Sequence, residues 1–257
     1  MKLPRTLHIE GSRLPAGKTD PEAIPFNNIQ GQFLVIEEKV DGTGVSIALD
    51  RHLELDIKHR GSSASGKEFR ELHKWAERHW EDLLDLLGER YVLFGEWMYN
   101  KHTIFYDNLP HYFLESDIYD QDRQVWLSTS ARNDLLRGHK YIKRVPVIAA
   151  LKPSALYQIT NLVGKTQFQT EQWQSNLKTK CSMFGGNPER AMKETDQSGM
   201  MEGLYIKHED DLQVLNRYKY VRYEFLQNIL NSGTHLVDRL PIYNGLMGEV
   251  HNFQAGE

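Results

Sequence analysis

Lys39 ends an apolar run and immediately precedes Val40-Asp41-Gly42; a lysine so placed can bind a phosphate or attack one. Two acids also occupy unusual positions. Glu96 interrupts the apolar stretch Tyr91-Val92-Leu93-Phe94-Gly95-Glu96-Trp97-Met98-Tyr99, where a carboxylate is costly without a role. Glu202 opens Glu202-Gly203-Leu204-Tyr205-Ile206-Lys207. Arg217 and Lys219 stand two apart in a strand-like stretch, so they face the same way, as a clamp on phosphate oxygens requires. One amine, two carboxylates and a pair of cations favour attack on a phosphate over simple binding.

The elements that must hold these residues follow from periodicity. Phe33, Val35, Glu37 and Lys39 alternate with Gln32, Leu34, Ile36 and Glu38, and Val45, Ile47 and Leu49 alternate with Ser46 and Ala48. The Asp-Gly between them predicts a hairpin with Lys39 at its rim. A third strand is expected over 53–57, and a helix over 67–87 with Gly88 as its stop. Strands over 91–99 and 112–119 carry Glu96, and Glu115 with Asp117, respectively. A helical segment near 130–136 precedes a region from Val145 to Gly199 with many Gly, Asn and Pro breaks. Strands over 202–207 and 212–221, and a helix from Tyr223, complete the chain; residues before 30 read as an extended lead-in. Strands joined by short turns outnumber helices, which predicts an α+β fold of antiparallel β-sheets with flanking helices.

Composition excludes several classes. The 257 residues are 40% hydrophobic and 26% charged, an ordinary globular balance. Mean hydropathy of -0.58 and the lack of a long apolar run argue against a membrane span. The N-terminal residues lack the apolar segment of a secretory signal. The single cysteine, Cys181, rules out an internal disulfide and fits a reducing, cytoplasmic setting. A net charge of -4 leaves nucleic acid open, because phosphate neutralisation depends on local patches. Lys58-His59-Arg60, His139-Lys140 with Lys143-Arg144, and the stretch from Arg217 to Arg222 are such patches, each also readable as a solvated face.

One competing motif is Gly61-Ser62-Ser63-Ala64-Ser65-Gly66-Lys67, which approaches a phosphate-cradling P-loop between a predicted strand and helix. Glu68 stands where that loop needs a hydroxyl, and its carboxylate would repel phosphates. A P-loop phosphotransferase is therefore the reading from a different class. The eleven histidines form no H-E-x-x-H and no Cys/His metal spacing.

Six islands in order resemble the covalent nucleotidyltransferase superfamily of ATP-dependent ligases and capping enzymes. Lys39-Val40-Asp41-Gly42 matches its K-x-D-G motif, Arg60-Gly61 its short arginine motif, and Phe94-Gly95-Glu96 its acidic strand. Phe113 to Tyr119 is similar to the next strand, Glu202 to Lys207 to E-G-x-v-x-K, and Arg217-Tyr218-Lys219 to the closing K-x-K. Within the superfamily the chain looks most like stand-alone RNA ligases. DNA ligases and capping enzymes, the sister readings, usually carry arginine at the place of Gly44, and a C-terminal OB domain for which the residues after Lys219 are too few. The resemblance implies a ligase domain over 1–222 and a short helical extension over 223–257.

It also implies a reaction in three steps. Lys39 takes AMP from ATP, AMP passes to an RNA 5′-phosphate, and an RNA 3′-hydroxyl displaces it. Glu38, Lys39, Arg60, Glu96, Lys207, Arg217 and Lys219 are then the nucleotide-binding set, and Glu202 is the metal-binding acid. The expected cofactors are ATP and Mg²⁺, with Mn²⁺ as a substitute. The partner is RNA with 3′-hydroxyl and 5′-phosphate ends, alongside a separate end-healing kinase or phosphatase, and no membrane. Lys39 must lose its proton to attack, and Mg²⁺, Arg217 and Lys219 are expected to lower its pKa. Two departures stand out: Ser116 where the family often has an adenine-stacking aromatic, and Arg217 for the first lysine of K-x-K.

Overall fold

A computed structural model describes residues 3–12, 22–234 and 239–249. Its elements run β1 (Leu7–His8), β2 (Leu34–Lys39), β3 (Thr43–Leu49), β4 (Leu55–His59), β5 (Ser62–Ser63), α1 (Arg70–Arg78), α2 (Trp80–Leu87), β6 (Tyr91–Trp97) and β7 (Phe113–Asp120). The second half runs β8 (Val125–Trp126), α3 (Thr129–Leu135), β9 (Lys143–Arg144), β10 (Val147–Leu151), α4 (Tyr157–Thr160), α5 (Trp173–Met183), α6 (Pro188–Lys193), β11 (Gly203–Glu209), β12 (Val214–Val221) and α7 (Tyr223–Asn231). The expected α+β architecture is observed. One sheet has the order β1-β12-β11-β2-β10 and the other β5-β4-β3-β6-β7-β8, with β9 beside β7. Pairing is antiparallel except for β1 with β12 and β7 with β9.

The hairpin expected around Lys39 does not form. β2 pairs with β10 and β11 in the first sheet, whereas β3 pairs with β4 and β6 in the second. Asp41-Gly42 is thus a switch between sheets. Alternation along β2 reveals a strand but carries no information about its partner, and β2 is buried almost throughout. The side chains on its two faces have separate neighbours. Leu34 and Ile36 join Leu204, Ile206 and Ile9 in one core cluster, while Glu37 reaches the second sheet.

The P-loop reading also fails in the backbone. Ser62 and Ser63 pair with His59 and Lys58 as an edge strand, so the stretch forms an antiparallel hairpin rather than a loop around a phosphate. The helix expected over 67–87 breaks at His79 (φ -105°, ψ 23°), giving α1 and α2. Their apolar faces, with Leu72, Trp75, Leu83 and Leu87, cover Val45, Ile47 and Leu93 of the second sheet. Burial of those side chains at roughly 25 cal/mol per Å² is the main force fixing that sheet.

After α7 the chain returns to the body. Lys101 N–H donates to the Ile242 carbonyl at 2.8 Å, and Leu246 packs against the cluster around Met98 and Tyr106. Asn244 is wholly buried. Its Oδ1 accepts from Tyr106 N–H at 2.9 Å, and its Nδ2 donates to the Met98 carbonyl at 2.6 Å. Residues 239–249 therefore brace the 98–106 segment beside the end of β6.

Candidate active site

Lys39 at the end of β2 stands opposite Gly203 in the β2–β11 register, which brings it to Glu202. Its Nζ donates to the Glu202 carboxylate at 2.8 Å. The lysine side chain keeps 27% of its exposure and that of the acid 10%, so the pair is largely desolvated but reachable. Burial alone would lower the Lys39 pKa, yet Glu202, Glu96 and Asp41 outweigh it, and the ammonium is held above its ordinary value. Burial lifts Glu96 to about 7 against the pull of Lys39, and raises Glu202 too.

Without nucleotide or metal, the acids dominate the surroundings of Lys39, and the expected lowering by Mg²⁺, Arg217 and Lys219 belongs to the loaded site. Arg217 is spent elsewhere, donating to Asp117 at 3.0 Å and lying 4.3 Å over the Trp126 ring. Lys219 acts on the electrostatics through Glu202.

Asp41 has a supporting part. Its Oδ2 accepts from the backbone N–H of Thr103 at 2.7 Å and Ile104 at 2.9 Å. Burial pushes Asp41 up, but His102 and those two amides more than offset it, so it stays ionised. His102 Nε2 in turn lies 3.2 Å from Thr43 Oγ1. At Gly42 a Cβ would fall 2.5 Å from Met98 Sδ and 3.2 Å from the Trp97 carbonyl, so the K-x-D-G glycine is required by close approach to β6. Gly44 has no such demand, the nearest atom being Glu96 Oε1 at 3.6 Å. The glycine after Glu202 is structural as well, since a Cβ at Gly203 would run into the Tyr220 carbonyl.

Beside Lys39 a cleft of about 790 Å³ opens. Glu96, Phe94 and Ser116 stand on its wall, with Arg60, Lys101, His102 and Arg239 among the basic groups around it. Arg60 is exposed and holds a left-handed φ of 51°. Lys101 is lowered to about 8 by burial first and then by Arg239. Sequence reading missed Lys101, His102 and Arg239. They lie in irregular segments with no periodicity, and only the topology brings them to the cleft.

The remaining expected residues sit in an adjoining buried network. Lys207 has no exposed side-chain surface; its Nζ lies 2.8 Å from Glu37 and 3.6 Å from Asp117, and donates to the Ser116 carbonyl. Arg132 from α3 bridges Glu37 and Glu115 at 2.6 Å each. Three acids thus meet three bases, and the network ties β2, β11 and β12 to β7. A bulge between Phe94 and Gly95 opposite Ser116 turns the Ser116 carbonyl to accept from Lys207 and Arg132. Glu38 points to the other face of β2, accepting from Thr166 Oγ1 at 2.5 Å, and burial lifts it to about 7.

Among the described residues no three His, Cys, Asp or Glu side chains are grouped to hold a metal ion. Glu202 and Glu96 both act on Lys39, and two carboxylates suit Mg²⁺, which usually completes its shell with water and substrate phosphates.

Two sheets linked at a lysine-bearing turn, with carboxylates around the amine, define a nucleotidyltransferase-type fold. The RNA ligase family profile matches residues 32–221, most of the chain, and the protein belongs to that family. Among solved structures it is similar to a Naegleria gruberi RNA ligase mutant with AMP and Mn, at 17% identity and TM-score 0.54, covering 86% of this chain and 61% of that one. A mutant with ATP and Mn gives 14% identity and TM-score 0.54, covering 90% and 63%. An apo R4a mutant gives 17% and 0.52, covering 86% and 60%. This chain therefore spans about three fifths of the length of those proteins. No curated protein matches it. No helix among the described residues is long and apolar enough to cross a membrane.

Proposed function

We propose that the chain is an ATP-dependent RNA ligase that joins RNA 3′-hydroxyl and 5′-phosphate ends through lysyl-AMP and RNA-adenylate. The observation carrying this reading is the Lys39–Glu202 pair at 2.8 Å beside a cleft bordered by basic side chains. In the first step Lys39 Nζ attacks the α-phosphorus of ATP; an N–P bond forms, the α–β P–O bond breaks, and pyrophosphate leaves. In the second an RNA 5′-phosphate oxygen takes the AMP and frees the lysine. In the third the 3′-hydroxyl attacks the activated 5′-phosphate and AMP departs.

The chain's own groups account for much of this. The resting ion pair orients Nζ but also keeps it protonated, so attack requires Glu202 to be drawn into other contacts and the proton to leave. Glu202, aided by Glu96, would hold Mg²⁺, which supplies charge neutralisation for the triphosphate. That metal role fits the Mn in the similar Naegleria structures. Phe94 and Phe69 offer apolar surface for the adenine in place of the aromatic absent at Ser116. Arg60, Lys101 and Arg239 supply the positive field for phosphates. Arg217 and Lys207 act by fixing Asp117, Glu37 and the Ser116 carbonyl, and Lys219 by its charge on Glu202. Glu38 supports the back of β2 through Thr166.

The test is incubation with radiolabelled ATP or GTP, then denaturing electrophoresis. Label retained with ATP alone and lost in Lys39→Ala supports the reading, and wild-type protein unlabelled by both nucleotides overturns it. Sealing assays on matched RNA and DNA strands then fix the polynucleotide.

A further inference from the structure

The second large cavity, about 860 Å³, lies away from the groups that surround Lys39. Its wall is the turn after α3 together with β9, and includes Arg137, His139, Lys140, Lys143 and Arg144. The sequence here is one-sided. Between Asp134 and Glu171 there is no acidic residue, while Arg137, Lys140, Lys143, Arg144, Lys152 and Lys165 are all basic, in a chain whose net charge is -4. The four basic residues on the wall are exposed. Asp134 accepts from Arg137 and so offsets one of them, while Lys143 donates to the Lys140 carbonyl and Arg144 to the Asn133 side chain, both uncharged.

The floor does not cancel this charge. Glu37 also borders the cavity, but it is bound to Arg132 and Lys207, inside a network whose acids and bases balance. Arg132, buried there, leaves its Nε without a hydrogen-bond partner. β9 pairs in parallel with β7, Lys143 beside Leu114 and Arg144 beside Glu115, so the basic rim is fixed to the sheet that also carries Ser116 and Glu96's neighbours.

We infer that this cavity and its basic rim bind the phosphate backbone of an RNA strand, without reading its bases. The composition suits that role: exposed cations are spread over a turn and a strand edge, and no aromatic cluster for base stacking is among the cavity's lining residues. The inference rests on the proposed RNA ligase activity for its choice of polyanion.

The experiment compares the wild type with Lys140→Ala/Lys143→Ala/Arg144→Ala. Binding of 5′-phosphorylated single-stranded oligoribonucleotides of two unrelated sequences is measured over a range of salt. Three lost phosphate contacts should reduce the slope of log affinity against log salt by about 2, equally for both sequences. Lysine labelling by radiolabelled ATP should be unchanged, and Lys140→Arg/Lys143→Arg/Arg144→Lys should restore the wild-type slope. An alanine variant with wild-type affinity and slope overturns the inference while labelling by ATP leaves the ligase reading intact. Wild-type protein that takes no label yet binds RNA through these residues overturns the ligase reading and leaves the inference standing. Wild-type protein that binds neither sequence overturns the inference.

Discussion

Replacing Lys207 with methionine is expected to destabilise the protein by about 3–5 kcal/mol, the usual cost of removing one partner of a buried ion pair. The value follows from its setting. Its side chain has no exposed surface, lies 2.8 Å from Glu37 and 3.6 Å from Asp117, and donates to the Ser116 carbonyl. Methionine fills the space but leaves two carboxylates short of a cation and a carbonyl short of a donor. Arg132 and Arg217 remain, which places the loss in that range rather than above it. Urea unfolding at neutral pH measures it, and the thermal midpoint should fall by roughly 6–20 °C for a chain of this size. The acid limb should move as well. Burial pushes Asp117 up, but Lys207 and Arg217 hold it below its ordinary value. Its contribution is therefore complete above the unfolded pKa and lost as pH falls through the folded one. Without Lys207 the folded value rises, and acid unfolding begins at higher pH. Lys207→Met/Glu37→Gln should recover about 1 kcal/mol or more of the loss, since the two sites are coupled. A Lys207→Met loss below about 1 kcal/mol with an unchanged urea slope would refute the assignment of Lys207 as a counter-charge.

Other perturbations separate site from scaffold. Glu38→Gln should gain on the wild type as pH rises from 5 to 8: a folded pKa of about 7 against 4.5 means stability is lost through that window, worth on the order of 3 kcal/mol, as paired urea titrations would record. Gly42→Ala should cost about 1–3 kcal/mol and slow lysine labelling by ATP, because its Cβ meets Met98 and Trp97, whereas Gly44→Ala should be mild in both assays. Arg60→Gly should relieve a left-handed backbone and raise stability by about 0.5–1 kcal/mol while weakening RNA sealing, with melting and ligation measured on one preparation.

Local pattern revealed what is locally encoded. The alternation in 33–39, the apolar run of 91–99, the strand expected over 212–221 and the helix at Tyr223 were legible because local pattern and side-chain type agree there. The β2 partner was not, because β10 and β11 are more than 100 residues away in sequence. Lys39, Glu96 and Glu202 were legible through their motifs, and the structure brings them together. The split of the cationic motifs was hidden. Arg217 and Lys219 share strand parity, and the ion pair of Arg217 with Asp117 and its stacking over Trp126 are placements that no spacing rule contains. Arg239 joins the cleft after α7 without any sequence signal.

The Lys39–Glu202 contact spans 163 positions of sequence. During synthesis β2 exists long before β11, and β11 itself needs β12 to complete the sheet that closes against β1. Long-range pairing of this kind is slow relative to local structure. A growing or truncated chain thus carries the amine without the acid that positions it. The reactive centre can be completed only once β11 has been made and paired with β2, so competence to take up nucleotide depends on the whole domain rather than on the lysine's own segment.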